Sequence, residues 1–243
     1  MGQVSARYPT LLTPAGYAFS IWGLIFLSLV AYAVWQLLPA QKNVSLPDAI
    51  ARPLTLASVA TAAWVVLFAY ERILPSVGVM LIILGSLIVV YGRVRQHVFA
   101  GRVPALVSVP FSLYLGWISV ASFINITIGL QQLGLRVNDG LAVTLTLWLL
   151  VLIVGAALLM SRIFRDLVYP LVIAWALVAI WLVRLREMPD LGWFALAGAV
   201  VAGIFGIAFS RVGGRKAPWE LAAAAAVAAE AEIAARKSQR VGG

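Results

Sequence analysis

The side chains that could do chemistry are few in this sequence, and they are badly placed for catalysis. The single histidine, His97, has Arg93, Arg95 and Arg102 around it but no second His, Cys or acid at ligand spacing. A metal or a haem iron needs such a set, so His97 reads as a solvated loop histidine. With no Cys in the chain there is no disulfide framework and no thiolate metal site. The lysines are Lys42, Lys216 and Lys237, all outside the apolar runs; a retinal Schiff base needs one within a span. Neither a nucleophile elbow nor a phosphate loop is present. The residues point to no enzyme.

What the chain does set at regular intervals is aromatic. Phe19, Trp22 and Phe26 fall at i, i+3 and i+7, and Thr61, Trp64 and Phe68 repeat that spacing, so each trio shares one helix face. Trp117 and Asn125 follow in LYLGWISVASFINIT. Two readings are open for such faces: packing and interface anchoring, or the wall of an apolar cavity that suits a flat hydrophobic ligand. Asn125 divides in the same way, between bonding a neighbouring helix and meeting a ligand's polar group. Pro14 and Gly16 bend the backbone where Tyr17 and Trp22 begin, and bent backbone at a membrane boundary is tolerated where it lines a cavity. Ser108, Ser112, Gly116 and Ser119 form a small-residue stripe along which another helix can come close.

The elements that carry these residues must be membrane helices. Of 243 residues 63% are hydrophobic and only 11% charged, with a mean hydropathy of +1.00, far more apolar than a soluble domain. Seven spans are predicted, at 16–38, 53–70, 75–91, 105–130, 141–160, 167–183 and 191–210, each near the length needed to cross a bilayer. No Asp, Glu, Lys, Arg or His is expected inside them, which weakens a proton-coupled mechanism. The net charge of +9 is scattered over short connections, so it reads as a topology signal rather than a nucleic-acid surface. Ten Lys and Arg lie on the side of the first, third and fifth connections plus the near tail, against five opposite. That asymmetry predicts a cytoplasmic C-terminus. No cleavable signal peptide is read at the start. The Ala-rich tail, 213–243, reads as a solvated cytoplasmic helix with acids early and bases late.

Three segments carry a resemblance. The run Pro14-Ala15-Gly16-Tyr17-Ala18-Phe19-Ser20-Ile21-Trp22-Gly23-Leu24-Ile25-Phe26 resembles the P-x-G-W-x-F-x-x-W-x-x-x-Y signature of the TspO/MBR family, the tryptophan-rich sensory or translocator proteins. Tyr17 stands where that family usually has Trp, and Phe26 where it often has Tyr. Thr61-Ala62-Ala63-Trp64 is similar to its N-x-x-W, with Thr61 replacing Asn, and Trp117 to Asn125 is similar to its W-x-x-F-A-x-x-L-N. The resemblance implies a five-helix core that binds porphyrins, haem and sterol-like ligands for transport or sensing, with Tyr17, Trp22, Phe26, Trp64, Trp117 and Asn125 framing the pocket. The two aromatic faces add Phe19 and Phe68. Residues 1–130 then form the TspO-like core, with the family's first helix missing before it, and 131–212 form additional transmembrane helices. The expectation is an all-α polytopic bundle in the bacterial cytoplasmic membrane. Its partners would be the lipid bilayer, a hydrophobic small molecule and a second copy in a homodimer, without nucleic acid. Porphyrin or haem enters as ligand and not as a required cofactor. Two rivals remain: a transporter of an unrelated solute, and a structural membrane partner without ligand.

Overall fold

The computed structural model describes residues 7–8, 10–135 and 138–211; the expected tail helix at 213–243 lies outside them. The described residues form seven long helices and no strand: α1 (Ile21–Leu37), α2 (Leu46–Ala69), α3 (Ile73–Phe99), α4 (Val109–Gln132), α5 (Asp139–Phe164), α6 (Val168–Glu187) and α7 (Pro189–Arg211). Single 3₁₀ turns at Gly16–Ser20 and Ala105–Ser108 lead into α1 and α4. All seven helices are long and apolar enough to span a bilayer. The protein is an integral membrane protein.

Two boundaries differ most from the sequence reading, and one contact joins the two helices concerned. Helix α2 begins at Leu46 rather than at 53, because Pro47 falls in its first turn, where a missing N–H costs nothing. Pro53 then sits inside the helix and leaves the Ala49 carbonyl without its i+4 donor. Arg93 of α3 supplies that donor, Nη1 reaching the Ala49 oxygen at 2.5 Å. Helix α3 runs on past 91 to Phe99 and takes in Arg93, Arg95 and His97. His97 is therefore a last-turn helix residue and not a loop histidine. Its Nδ1 donates to the Arg93 carbonyl at 2.8 Å, and its Nε2 lies 3.3 Å from the Ser45 hydroxyl at the start of α2.

Helix α4 is the axis of the bundle. Every residue from Pro110 to Ile118 is buried, and α4 packs against α1, α3 and α6. Helices α2 and α3 form a hairpin; α5, α6 and α7 form a second group that meets the first chiefly where α6 packs on α4. The small-residue stripe is what admits α6. A Cβ on Gly116 would lie 3.0 Å from the Val172 Cβ, and Tyr169 donates to Ser119 at 3.0 Å. Lipid gives no hydrophobic drive between helices, so such close contact and interhelical hydrogen bonds hold them.

No ionisable residue falls inside the spans as predicted, but buried charges sit near their ends. Asp166, in the turn before α6, is 2% exposed. Its Oδ2 accepts from Tyr91 at 2.7 Å and Ser112 at 2.6 Å, and its Oδ1 accepts from the Val168 N–H at 2.8 Å and the Tyr169 N–H at 3.4 Å. Arg95, buried within α3, donates to Ser108 at 2.9 Å and to the Phe164 carbonyl. These two charges join α3, α4 and the α5–α6 turn at one end of the bundle. Burial is tolerated because both Asp166 oxygens and both Arg95 Nη groups find partners, while Arg95 Nε has none.

Asp166→Ala strips the acceptor from the Tyr91 and Ser112 hydroxyls and from the start of α6. We expect a loss of about 1–3 kcal/mol for each buried donor left unpaired, read as a lower midpoint of thermal unfolding in detergent. Gly206 offers a second check, since a Cβ there would meet Pro170 at 2.6 Å while its carbonyl holds Ser161 at 2.5 Å. Gly206→Val should wedge α7 from α6 at a cost of about 1–3 kcal/mol, whereas Gly203→Val, with nothing within 4 Å of its Cβ, should leave the midpoint unchanged.

Candidate functional site

Six of the eight residues singled out by spacing and resemblance meet as rings between α1, α2 and α4. The 3₁₀ turn at Gly16–Ser20 carries Phe19 to the top of α1, anchored by the Ala15 N–H on the Ala179 carbonyl of α6 at 3.0 Å. Phe19 packs edge-on to Trp117 of α4, with centroids 5.6 Å apart. One turn further, Trp22 stacks on Phe26 at 5.4 Å and faces Trp64 of α2 at 6.5 Å, with planes 28° apart. Trp64 stacks in turn on Phe68 at 5.0 Å. The result is a continuous run of rings, Phe26–Trp22–Trp64–Phe68, laid across the seam between α1 and α2. Edge and offset contacts at such separations are the favoured aromatic geometries.

Inside this array is a cavity of about 30 Å³, lined by Phe19, Trp64, Phe68, Trp117, Ala121, Ile124, Asn125 and Ile128. It holds no more than about one water. A flat ligand therefore requires the rings to part, and the seam permits this, because α1 packs its backbone on α4 and not closely on α2. Phe26, 52% exposed, stands at the lipid side of the seam, while Trp64 and Trp117 are buried.

The polar points are few. Asn125 lines the cavity and also donates from Nδ2 to Ser76 of α3 at 3.2 Å, so it bonds a neighbouring helix. Thr61 donates to the Ala57 carbonyl at 2.8 Å and pairs with the Tyr114 hydroxyl. The indole N–H groups of Trp22 and Trp64 are buried without a hydrogen-bond partner. Tyr17 stands apart from the cavity, edge-on to Trp175 of α6 at 5.0 Å. Tyr114, which packs on Trp22 at 5.9 Å, is not among the residues picked out by spacing. Its position one helical turn before Trp117 is the signal that could have found it.

A larger cavity, about 300 Å³, lies at the other end of α1, among Ser28, Tyr32, Trp35, Pro104, Leu106 and Pro110. It contains none of the predicted residues. The ring array is the better candidate, since side chains from separate parts of the chain converge there.

The segment before α1 crosses the same end of the bundle as Phe19. Arg7 donates to Glu71 Oε1 at 2.6 Å and Tyr8 to Glu71 Oε2 at 2.7 Å, and the buried Arg184 of α6 donates to the Thr10 carbonyl at 3.3 Å and to Glu187. Glu71 has φ 57°, the left-handed position that closes α2, where the Arg72 N–H bonds the Leu67 carbonyl at 2.8 Å and the Glu71 N–H bonds that of Phe68 at 3.1 Å. Gly normally fills this place. A side chain there costs on the order of 1 kcal/mol, offset here by the clamp on Arg7 and Tyr8. Nothing in the sequence around Glu71 signals that clamp.

The hydrogen bonds from Tyr8 and Arg7 hold the Glu71 carboxyl below its ordinary value of 4.5, and the same bond to Glu71 pushes the Tyr8 phenol up. A carboxyl lowered on folding adds stability above its unfolded value, and that stability is lost as pH falls through the lower, folded one. The contribution of this pair to the thermal midpoint should thus be present in full and independent of pH near neutrality, and fall away in acid below about pH 4.5. Glu71→Gln should lower the neutral-pH midpoint slightly and shrink the acid-dependent part.

Among known families, the one described as TSPO-like protein matches residues 1–208. No curated protein and no solved structure gave a significant match. The family match takes in all three motif segments and runs through α5 and α6 into α7, well over half of the chain. This protein belongs to the TSPO-like family.

Proposed function

We propose that the ring array binds a flat hydrophobic ligand, tetrapyrrole or sterol-like in shape, and that the protein senses or transports it. The observation that carries this reading is the convergence of Phe19, Trp64, Phe68 and Trp117, from three separate segments, around one apolar cavity with Asn125 in its wall and Trp22 stacked on Trp64. Porphyrin or haem is a ligand in this reading and not a resident cofactor. The family is generally non-enzymatic, and no catalytic step is assigned. Among the described residues, Lys42, Arg52, Arg93, Arg95, Arg102, Arg162, Arg165 and Arg211 lie at the end opposite Arg7, Arg72, Arg184 and Arg186. That imbalance supports a cytoplasmic C-terminus in a bacterial cytoplasmic membrane. Exposed helix faces leave room for a homodimer.

Titration of the purified protein with protoporphyrin IX, followed by quenching of tryptophan fluorescence, tests the proposal. Saturable quenching is expected, with the dissociation constant raised roughly tenfold or more in Trp64→Ala and in Trp117→Ala, each of which removes an aromatic wall. Linear quenching that ignores both substitutions would mean partition into detergent, and would favour a transporter of another solute.

A further inference from the structure

We propose that the larger cavity, between the last turns of α1 and the start of α4, binds an anionic glycerophospholipid of the surrounding bilayer, with one acyl chain in the cleft and the phosphate meeting Arg102 and Lys42. The site is separate from the ring array and does not depend on what the array binds. At about 300 Å³ it reaches the size of sites that take small molecules, whereas the space inside the array holds about one water. Its walls are apolar. Trp35 stacks on Tyr32 with centroids 5.8 Å apart, and Tyr32 packs edge-on to Phe111 at 4.9 Å. Ala31, Pro104 and Leu106 line the cleft from exposed positions, Leu106 at 78%, so it opens outward to the lipid. Ser28 already donates to the Ile25 carbonyl at 2.8 Å. A hydrocarbon chain suits such a surface, and a charged group does not.

Charge supplies a place for the head group. Among the described residues, the end of the bundle that holds the cleft carries the eight Lys and Arg residues from Lys42 to Arg211 against Asp48 and Asp166, while the other end carries four basic residues against four acidic ones. Several of the eight are engaged: Arg93 with the Ala49 carbonyl, Arg95 with Ser108 and the Phe164 carbonyl, and Arg162 over the Phe209 ring. Asp166 is taken up by Tyr91 and Ser112, and Asp48 stands on α2, no residue of which lines the cleft. Lys42 and Arg102 are exposed, and their side chains make no hydrogen bond or ion pair among the described residues. Arg102 is also held close to the cleft. Gly101, at φ 66°, closes α3 with its N–H on the Val98 carbonyl, and the Arg102 N–H bonds the His97 carbonyl at 3.0 Å. Two peptide units further, at most about 7 Å of chain, Pro104 lines the cleft. Lys42 follows the Pro39–Gln41 turn after α1. An aromatic rim with exposed cations beside it, at the more positive end of a membrane bundle, is a surface that holds anionic head groups.

Native mass spectrometry of the full chain, released from detergent with equimolar phosphatidylglycerol and phosphatidylcholine of the same acyl chains, tests the site. We expect the wild type to retain one phosphatidylglycerol with a preference of at least about tenfold over phosphatidylcholine, from two cations. Arg102→Gln should cut that preference about fivefold, the worth of one cation at an anionic surface, and adding Lys42→Gln should cut it further. Ala31→Phe, at an exposed position in the cleft wall, should fill the cleft and remove the retained lipid while the thermal midpoint stays unchanged. Equal retention of the two lipids by the wild type, or a preference that Arg102→Gln or Ala31→Phe leaves unaltered, would overturn the site.

Discussion

The arrangement depends on burying α4 on nearly all sides inside a medium that supplies no hydrophobic drive. Lipid is as apolar as the side chains of α4, so close approach and polar contacts hold its neighbours instead. Gly116 lets the Val172 side of α6 come within contact, and Ser112 and Ser119 bond Asp166 and Tyr169 across the same seam. Asn125 and Ser76 do the equivalent work toward α3. Once α4 is fixed in this way, Trp117 and Asn125 have fixed positions, and the ring array has a rigid floor.

Helix α1 is held differently. It rests on α4 and meets α2 through the rings of Trp22 and Trp64 rather than through tight backbone packing. Interleaved aromatic faces close the seam while leaving it able to open, because each ring contact is worth only about 0.5–1.5 kcal/mol beyond its buried area. The clamp of Arg7 and Tyr8 on Glu71 fastens the segment before α1 to the α2–α3 turn. Movement of α1 is then easiest along its lipid-facing side, where Phe26 stands.

Much of this was legible in the residues. Seven spans follow from the apolar runs, and the trios Phe19–Trp22–Phe26 and Thr61–Trp64–Phe68 follow from helical spacing, because period and length are local properties of a chain. The stripe of small residues on α4 announced a close neighbour but could not say that the neighbour is α6. What stayed hidden depends on contacts distant in sequence. In the last turns of α3, Arg93 repairs the backbone gap left by Pro53, forty residues earlier. Asp166 is buried because Tyr91 and Ser112 reach it from two other helices. Tyr17 keeps an aromatic ring at a motif position, yet packs on Trp175 outside the cavity; a motif fixes residue class, and the 3₁₀ turn fixes direction.

The central claim is that a flat ligand is taken in by parting α1 from α2 while α4 stays in place. With no native Cys, spin labels can be placed at Leu27→Cys on α1 and Val66→Cys on α2, both exposed positions, and the distance between them measured by pulsed electron resonance in nanodiscs. On saturation with protoporphyrin IX the distance should lengthen by about 3.5 Å, the thickness of one π-system at van der Waals contact. An unchanged distance distribution at a ligand concentration that saturates tryptophan quenching would contradict it.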